Sequence, residues 1–306
     1  MNKQTIITAK APTRIGLFGG GTDLEPFVSN YGGRVLNMAI SIYHTITITA
    51  GETEIPDNPL IKQILSYYKG VNGIRITNSF DGVSSSGLGS SASLSVAFIG
   101  ALDKYLAAKL TKNQIAEQAW QAEKDLGWIS GKQDQYASVY GGVNLFTFTT
   151  GNVHRWPIKD AKDFVNWCLL VYIGGTRQSS DIQKKLVSRM RGEGVSVVCL
   201  RQLKELAILG KKALLDKDYY KVGDLLNHSW ALKKLSNPAC TNDRIDKIYQ
   251  KAKAAGAIGG KVCGAGGEGH MFFIVPPAGK QKVLDAIGLT EIPFSIDYGG
   301  LNVSRS

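Results

Sequence analysis

Alternation of apolar and polar positions dominates the first fifty residues and predicts strands. Thr5 to Ala11 alternates, Arg34 to Ala39 is an apolar run, and Tyr43 to Thr49 keeps a period of two with β-branched residues. Pro56 to Pro59 marks a loop, and Leu60 to Lys69 predicts a short helix. From Ser91 to Leu110 the period becomes helical, with Leu94, Ala97, Phe98, Ala101 and Leu102 on one stripe, which predicts a buried helix. Thr111-Lys112-Asn113-Gln114 carries N-cap chemistry for a helix over Ile115 to Leu126. Gly141-Gly142 then turns into an alternating strand from Val143 to Phe148.

Lys159 to Asp163 reads as a linker, dividing the chain into residues 1–162 and 163–306. Beyond it the pattern predicts a strand at Cys168–Ile173 and two helices within Ser196–Leu235, broken near Asp216-Lys217-Asp218. A helix at Ile245–Ala255, strands at Ile258–Cys263 and Met271–Val275, a helix at Lys280–Ile287 and a strand at Ile292–Tyr298 follow. Strands flank helices in both halves, which predicts α+β or α/β.

Three glycine-rich stretches interrupt this pattern. Ser84 to Ala92 opens onto the buried helix, so its N–H groups and hydroxyls can meet a phosphate at a helix start. The same residues also fit a Ser-capped helix with a loose entry, or the weak dinucleotide fingerprint G-x-G-x-x-A. The last needs a hydrophobic strand directly before it, and Asn78 to Val83 is polar and turn-like. Cys263 to Gly269 fits G-x-G-x-x-G but leads into a strand rather than a helix, so Rossmann geometry fails and a phosphate loop and a wide turn between strands stay equally open. Gly19-Gly20-Gly21-Thr22-Asp23 suits either a turn or close approach to a polyhydroxy ligand, with Asp23 accepting hydroxyl hydrogen bonds. No G-x-x-x-x-G-K-[ST] loop occurs.

Composition removes several classes. With 43% hydrophobic and 20% charged residues in 306, the chain is neither disordered nor fibrous. No apolar run reaches the ~18 residues of a membrane span, and the start predicts no signal peptide. Cys168, Cys199, Cys240 and Cys263 form no C-x-x-C pair, which argues against zinc or disulfides and for a cytoplasmic protein. The net charge of +11 invites nucleic acid, but Lys and Arg are dispersed and no recognition motif accompanies them. The expectation is therefore no nucleic acid and no membrane; a homodimer is left open.

In order and spacing, the three loops resemble the signature motifs of the GHMP kinase superfamily. Ala11 to Asp23 resembles its substrate motif, Ser86 to Ala92 its ATP motif and Lys261 to Gly267 its C-terminal motif. Glu268 departs from the latter, where a glycine is usual. Gly131 to Ala137 with Gly141-Gly142, and Gly174 to Asp181, look like the branch that phosphorylates D-glycero-α-D-manno-heptose 7-phosphate at the anomeric hydroxyl. The resemblance implies an α+β, two-domain fold, with a ribosomal-protein-like N-terminal half and a ferredoxin-like C-terminal half. It also implies ATP and Mg²⁺ as cofactors and a sugar phosphate as partner. Residues Ser85, Ser86, Gly87, Leu88, Gly89, Ser90, Ser91 and Ala92 would bind ATP, and Ser91 and Glu123 the metal. Asp134 would be the catalytic base with Arg14 beside it. Gly20, Gly21, Thr22, Asp23, Lys132, Gln133, Gly175, Arg177 and Gly266 would bind the acceptor, Arg177 and Lys132 being the cations for its phosphate. A fucokinase-like kinase, or a non-catalytic sugar-phosphate or nucleotide sensor on the same fold, is the alternative.

Overall fold

The computed structural model describes residues 5–84, 86–175, 179–190 and 192–306, with the Ser179 side chain outside that description. Its first half runs β1 (Ile6–Phe18), α1 (Phe27–Tyr31), β2 (Gly33–Ala50), α2 (Pro59–Ser66), β3 (Ile74–Phe80), α3 (Ser90–Leu106), α4 (Lys112–Asp125), α5 (Gln133–Tyr140), β4 (Val143–Thr149) and β5 (Asn152–Ile158). The second runs β6 (Cys168–Gly174), α6 (Ser179–Ser188), α7 (Val195–Leu215), α8 (Tyr219–Ser236), α9 (Asp243–Ala255), β7 (Gly259–Val262), β8 (Gly269–Ile274), α10 (Lys280–Ile287) and β9 (Asn302–Arg305).

The strands form two antiparallel sheets. The larger has the order β5-β4-β2-β1-β9, with β3 also pairing β2. The smaller is β6-β8-β7. β2 takes β4 along Gly33–Met38 and β3 along His44–Ala50, while β1 occupies its other edge throughout. This explains why two strands were expected where one exists. The second part of β2 alternates buried and part-exposed positions, whereas its first part is buried on both faces because α7 covers what would otherwise be the wet side.

α3 lies across β1 and β2 with its predicted stripe fully buried. It stops at Leu106, short of Leu110, because Ala107 turns left-handed at φ 53°. The predicted capping box is present: Gln114 N donates to Thr111 Oγ1 (3.2 Å) and Thr111 N to Gln114 Oε1 (2.8 Å). The break between α7 and α8 falls at Asp216–Asp218, where Asp218 caps α8 by accepting from Lys221 N at 2.9 Å.

Several expectations are corrected. Asn78 to Val83 is not simply a turn, since β3 runs to Phe80. β3 is antiparallel to β2, so the strand preceding the serine-rich loop does not begin a parallel βαβ unit, and the dinucleotide reading fails. α5, β5 and α6 were not foreseen, and the supposed linker runs into a short 3₁₀ helix at Lys162–Trp167. Ile292 to Tyr298 makes one isolated bridge, at Ile296, with a second at Glu291 just before it, and joins no ladder. Pro293 lacks an N–H to contribute, and the segment crosses to the larger sheet, where Ser41 N donates to Ser295 O (2.9 Å) and Asp297 N to Ala39 O (3.0 Å). The chain then ends in β9 against β1, so the larger sheet holds both ends of the described chain. One apolar cluster under α3 fills the first half, and a second joins Ile15, Leu17 and Phe18 of β1 to Leu200 and Leu203 of α7 and Leu226 of α8. The halves thus share a core along one side of the cleft described next.

Candidate active site

A cleft of about 280 Å³ opens where the end of β1, the loop before α3, the start of α5 and α8 converge. Arg14 projects from β1 into its floor, almost fully buried. Its Nε donates to Asp134 Oδ1 at 2.6 Å, its Nη2 to Asp134 Oδ2, and its Nη1 to Gly87 O at 2.6 Å. One guanidinium therefore grips a carboxylate on the first turn of α5 and the backbone of the serine-rich loop. Burial works to lower the Arg14 pKa, but Asp134 outweighs it and holds it above its ordinary value. The approach needs Gly89: at φ +75° a Cβ there would lie 3.2 Å from Asp134 Oδ2 and 3.3 Å from Arg14 Cζ.

Gly89 is also the left-handed N-cap of α3 and supplies no side-chain cap. The N-cap thus adds no side chain between the first turn of α3 and the cleft, and a helix start open in this way is an arrangement that can receive an anion. The loop is braced from the second half of the chain. A Cβ on Gly87 would meet Cys263 O at 2.7 Å, and one on Gly264 would meet Gly87 Cα at 2.8 Å, so the two glycine loops touch backbone to backbone. His270 adds two bonds to Ser86 O, from its N (3.1 Å) and across Nδ1 (2.9 Å).

Asp23 forms the acceptor side. Its Oδ2 accepts from Gln133 N (3.2 Å) and its Oδ1 from Gln133 Nε2 (2.9 Å). Gly131 leaves room for it, since a Cβ there would stand 1.9 Å from Asp23 Oδ2. Burial, and then the charge of Asp134, push the Asp23 carboxyl up to about 6. Glu123 on α4 is buried and accepts from Gln135 Nε2 at 2.9 Å. Burial raises its pKa too, opposed by the hydroxyls of Ser130 and Ser91 beside it.

The chain matches the models for the GHMP kinases N terminal domain over residues 59–142 and for the GHMP kinases C terminal region over residues 211–290. It is 32% identical to the D-glycero-alpha-D-manno-heptose 7-phosphate kinase of Campylobacter jejuni, covering 92% of this chain and 93% of that one. The chain is a GHMP kinase. Among solved structures, a D-glycero-D-manno-heptose 1-phosphate kinase from Bacteriodes thetaiotaomicron superposes with a TM-score of 0.76 at 25% identity, over 97% of this chain and 98% of that one. A putative sugar kinase from Campylobacter jejuni gives 0.77 at 27% identity over the whole of both chains.

As a GHMP kinase it is an ATP-dependent phosphotransferase. Of the residues expected from sequence, Arg14, Gly20, Gly21, Asp23, Gly87, Gly89, Ser90, Ser91, Glu123, Gln133 and Asp134 line one cleft. Ser86, Leu88 and Ala92 are buried behind the loop. Four residues expected at the acceptor are not among those that line the cleft, Thr22, Lys132, Gly175 and Gly266. The Thr22 hydroxyl donates to Gly19 O (2.7 Å) and Arg34 O (2.9 Å) and has no cleft exposure. The Lys132 ammonium binds Glu117 Oε2 at 2.6 Å and stacks over Trp120, away from the cleft. Glu268 fills the space beside Gly175, 2.5 Å from where a Cβ would stand, and Gly266 packs on Cys240 O. Ser85 and Arg177 lie outside the described residues.

Two cations in the wall of this GHMP kinase carried no role in the sequence reading, although Lys261 opens its C-terminal motif. Lys261 on β7 is buried and donates to Gly16 O (2.7 Å) and Leu17 O (3.3 Å). Burial, then Lys233 and Arg14, push its pKa down to about 7. Lys233 on α8 donates to Gly264 O at 2.6 Å, and burial lowers its pKa. Lys261 had a legible signal, a lone lysine between glycines and an apolar strand. Lys233 had none, because Lys233-Lys234 at a helix end reads as ordinary solvated charge.

Proposed function

We propose that this GHMP kinase transfers the γ-phosphoryl group of ATP to the anomeric hydroxyl of D-glycero-D-manno-heptose 7-phosphate, giving the 1,7-bisphosphate. The observation that carries the chemistry is the Arg14–Asp134 pair bonded to Gly87 O, which puts a carboxylate beside the nucleotide loop. The sugar rests on the likeness to the Campylobacter jejuni kinase.

Phosphoryl transfer asks mainly for positioning and charge compensation. The α3 N-terminus and the Gly87–Gly89 backbone hold the nucleotide phosphates. Asp23, fixed by Gln133, accepts hydrogen bonds from sugar hydroxyls. Asp134 receives the hydroxyl proton as the sugar oxygen bonds to the γ-phosphorus and ADP departs. Arg14 keeps Asp134 oriented and meets the charge developing on the transferred group.

Ser91 and Glu123 fit Mg²⁺. They offer a hydroxyl and a buried carboxylate side by side at the start of α3, an oxygen set of the kind Mg²⁺ shares with substrate phosphates. Bound there, the ion would neutralise charge on the terminal phosphates. Incubation with ATP, Mg²⁺ and a panel of sugars and sugar phosphates tests the proposal. ADP release with the heptose 7-phosphate and not with its dephosphorylated form is expected; turnover of a neutral sugar in preference to it would refute the reading.

A further inference from the structure

We infer that Lys233 and Lys261 form the seat for a phosphate carried by the acceptor, on the wall of the cleft that α8 and β7 build. The inference rests on the kinase reading and adds what in the chain recognises the acceptor's own charge.

The argument starts from charge. Arg14, Lys233 and Lys261 stand close enough to act on one another's ionisation. Only Arg14 has a carboxylate, Asp134. Among the described residues the two lysines hydrogen-bond backbone carbonyls and no carboxylate, Gly16 and Leu17 for one and Val262 and Gly264 for the other, with Lys233 also 5.7 Å from the Trp230 ring. Carbonyl dipoles orient an ammonium but do not neutralise it, and burying an uncompensated charge is costly. Two such buried amines in one wall are therefore matched to an incoming anion, which would restore the charge that burial withdraws from them.

Position assigns that anion to the acceptor. Lys261 reaches Gly16, and Gly16 faces the Gln133 side chain that holds Asp23; a Cβ there would be 3.2 Å from Gln133 Oε1. The nucleotide already has the helix start and Arg14. α8 continues the wall with Ser229 and Ser236, four residues before and three after Lys233 on the same helix face, and both line the cleft. Ser229 carries a hydroxyl that can serve as a further donor. Of the cations that sequence offered, Lys132 is paired with Glu117, and Arg177 lies outside the described residues.

The test uses the full chain and two acceptors, the heptose 7-phosphate and the same heptose without phosphate. Lys233→Gln should lower kcat/KM for the phosphorylated sugar roughly 10- to 100-fold, the scale of one charge-assisted hydrogen bond. The neutral sugar and the KM for ATP should change less than about threefold on the same scale of reasoning. Lys233→Arg should recover most of the loss. Equal losses on both sugars, or a rise in KM for ATP, overturn the inference. Inorganic phosphate provides a measurement on the unaltered protein: it should inhibit competitively against the acceptor and not against ATP, and the reverse pattern also overturns it. If the unaltered protein prefers another phosphorylated acceptor, the heptose reading fails while the lysines are tested on that acceptor. If it takes only neutral sugars, this inference falls and the kinase stands.

Discussion

The Arg14–Asp134 pair combines two roles that a substitution can separate. Asp134→Asn keeps the shape but cannot take the hydroxyl proton, so kcat should fall by about 10²–10⁴-fold while ATP affinity, measured by titration, stays unchanged. An unaltered kcat would leave Asp134 as an orienting group only. Asp23 makes a different prediction. Its carboxyl sits at about 6 because burial and Asp134 oppose its charge. The ionised form is the one that accepts two hydroxyls, so kcat/KM for the acceptor should drop as pH falls through 6. Asp23→Asn should flatten that limb. At this scale the sequence was informative where a motif carried the residue: Arg14, Asp23, Glu123 and Asp134 all reach the cleft. Thr22 and Lys132 instead bond Arg34 and Glu117 from elsewhere in the chain, and no local pattern announces such a contact.

Among the elements, the loop before α3 depends on backbone that no side chain can replace. Gly87 has φ +89°, and a Cβ there would stand only 2.7 Å from Cys263 O. Gly87→Ala should raise KM for ATP at least 10-fold, since both the turn and the brace must shift, with a smaller effect on the melting temperature. His270→Ala removes the side-chain contact to Ser86 O but leaves the backbone bond, so its KM for ATP should rise only a few-fold. Long helices with a clear stripe, such as α3, were legible, and so was the capping box of α4. α5 was not, because its eight residues carry the site rather than a stripe, and five of them are buried irrespective of polarity. β2 was split in two because burial on both faces erases the period of two.

For the whole molecule, closure of the larger sheet by β9 is a consequence of chain topology that no local pattern reveals. Residues 302–305 pair with Ile7–Lys10, and Leu301 fills the space beside Gly100 on α3. Deleting residues 301–306 should lower the melting temperature by roughly 5 °C or more, since a loss of a few kcal/mol moves a chain of this size by that amount. A thermal melt followed by circular dichroism checks it; an unchanged midpoint would show that β1 is stable as an edge.

The meeting of Gly87 with Gly264 bears on how such a protein can change over generations. Most damaging substitutions in a packed interior can be rescued by shrinking a neighbour. Here the neighbour on each side is main chain, with nothing to trim. A search for second-site revertants of Gly87→Ala should therefore return the original glycine and few or no compensating changes. These two positions, far apart in the chain, are held as one unit of inheritance.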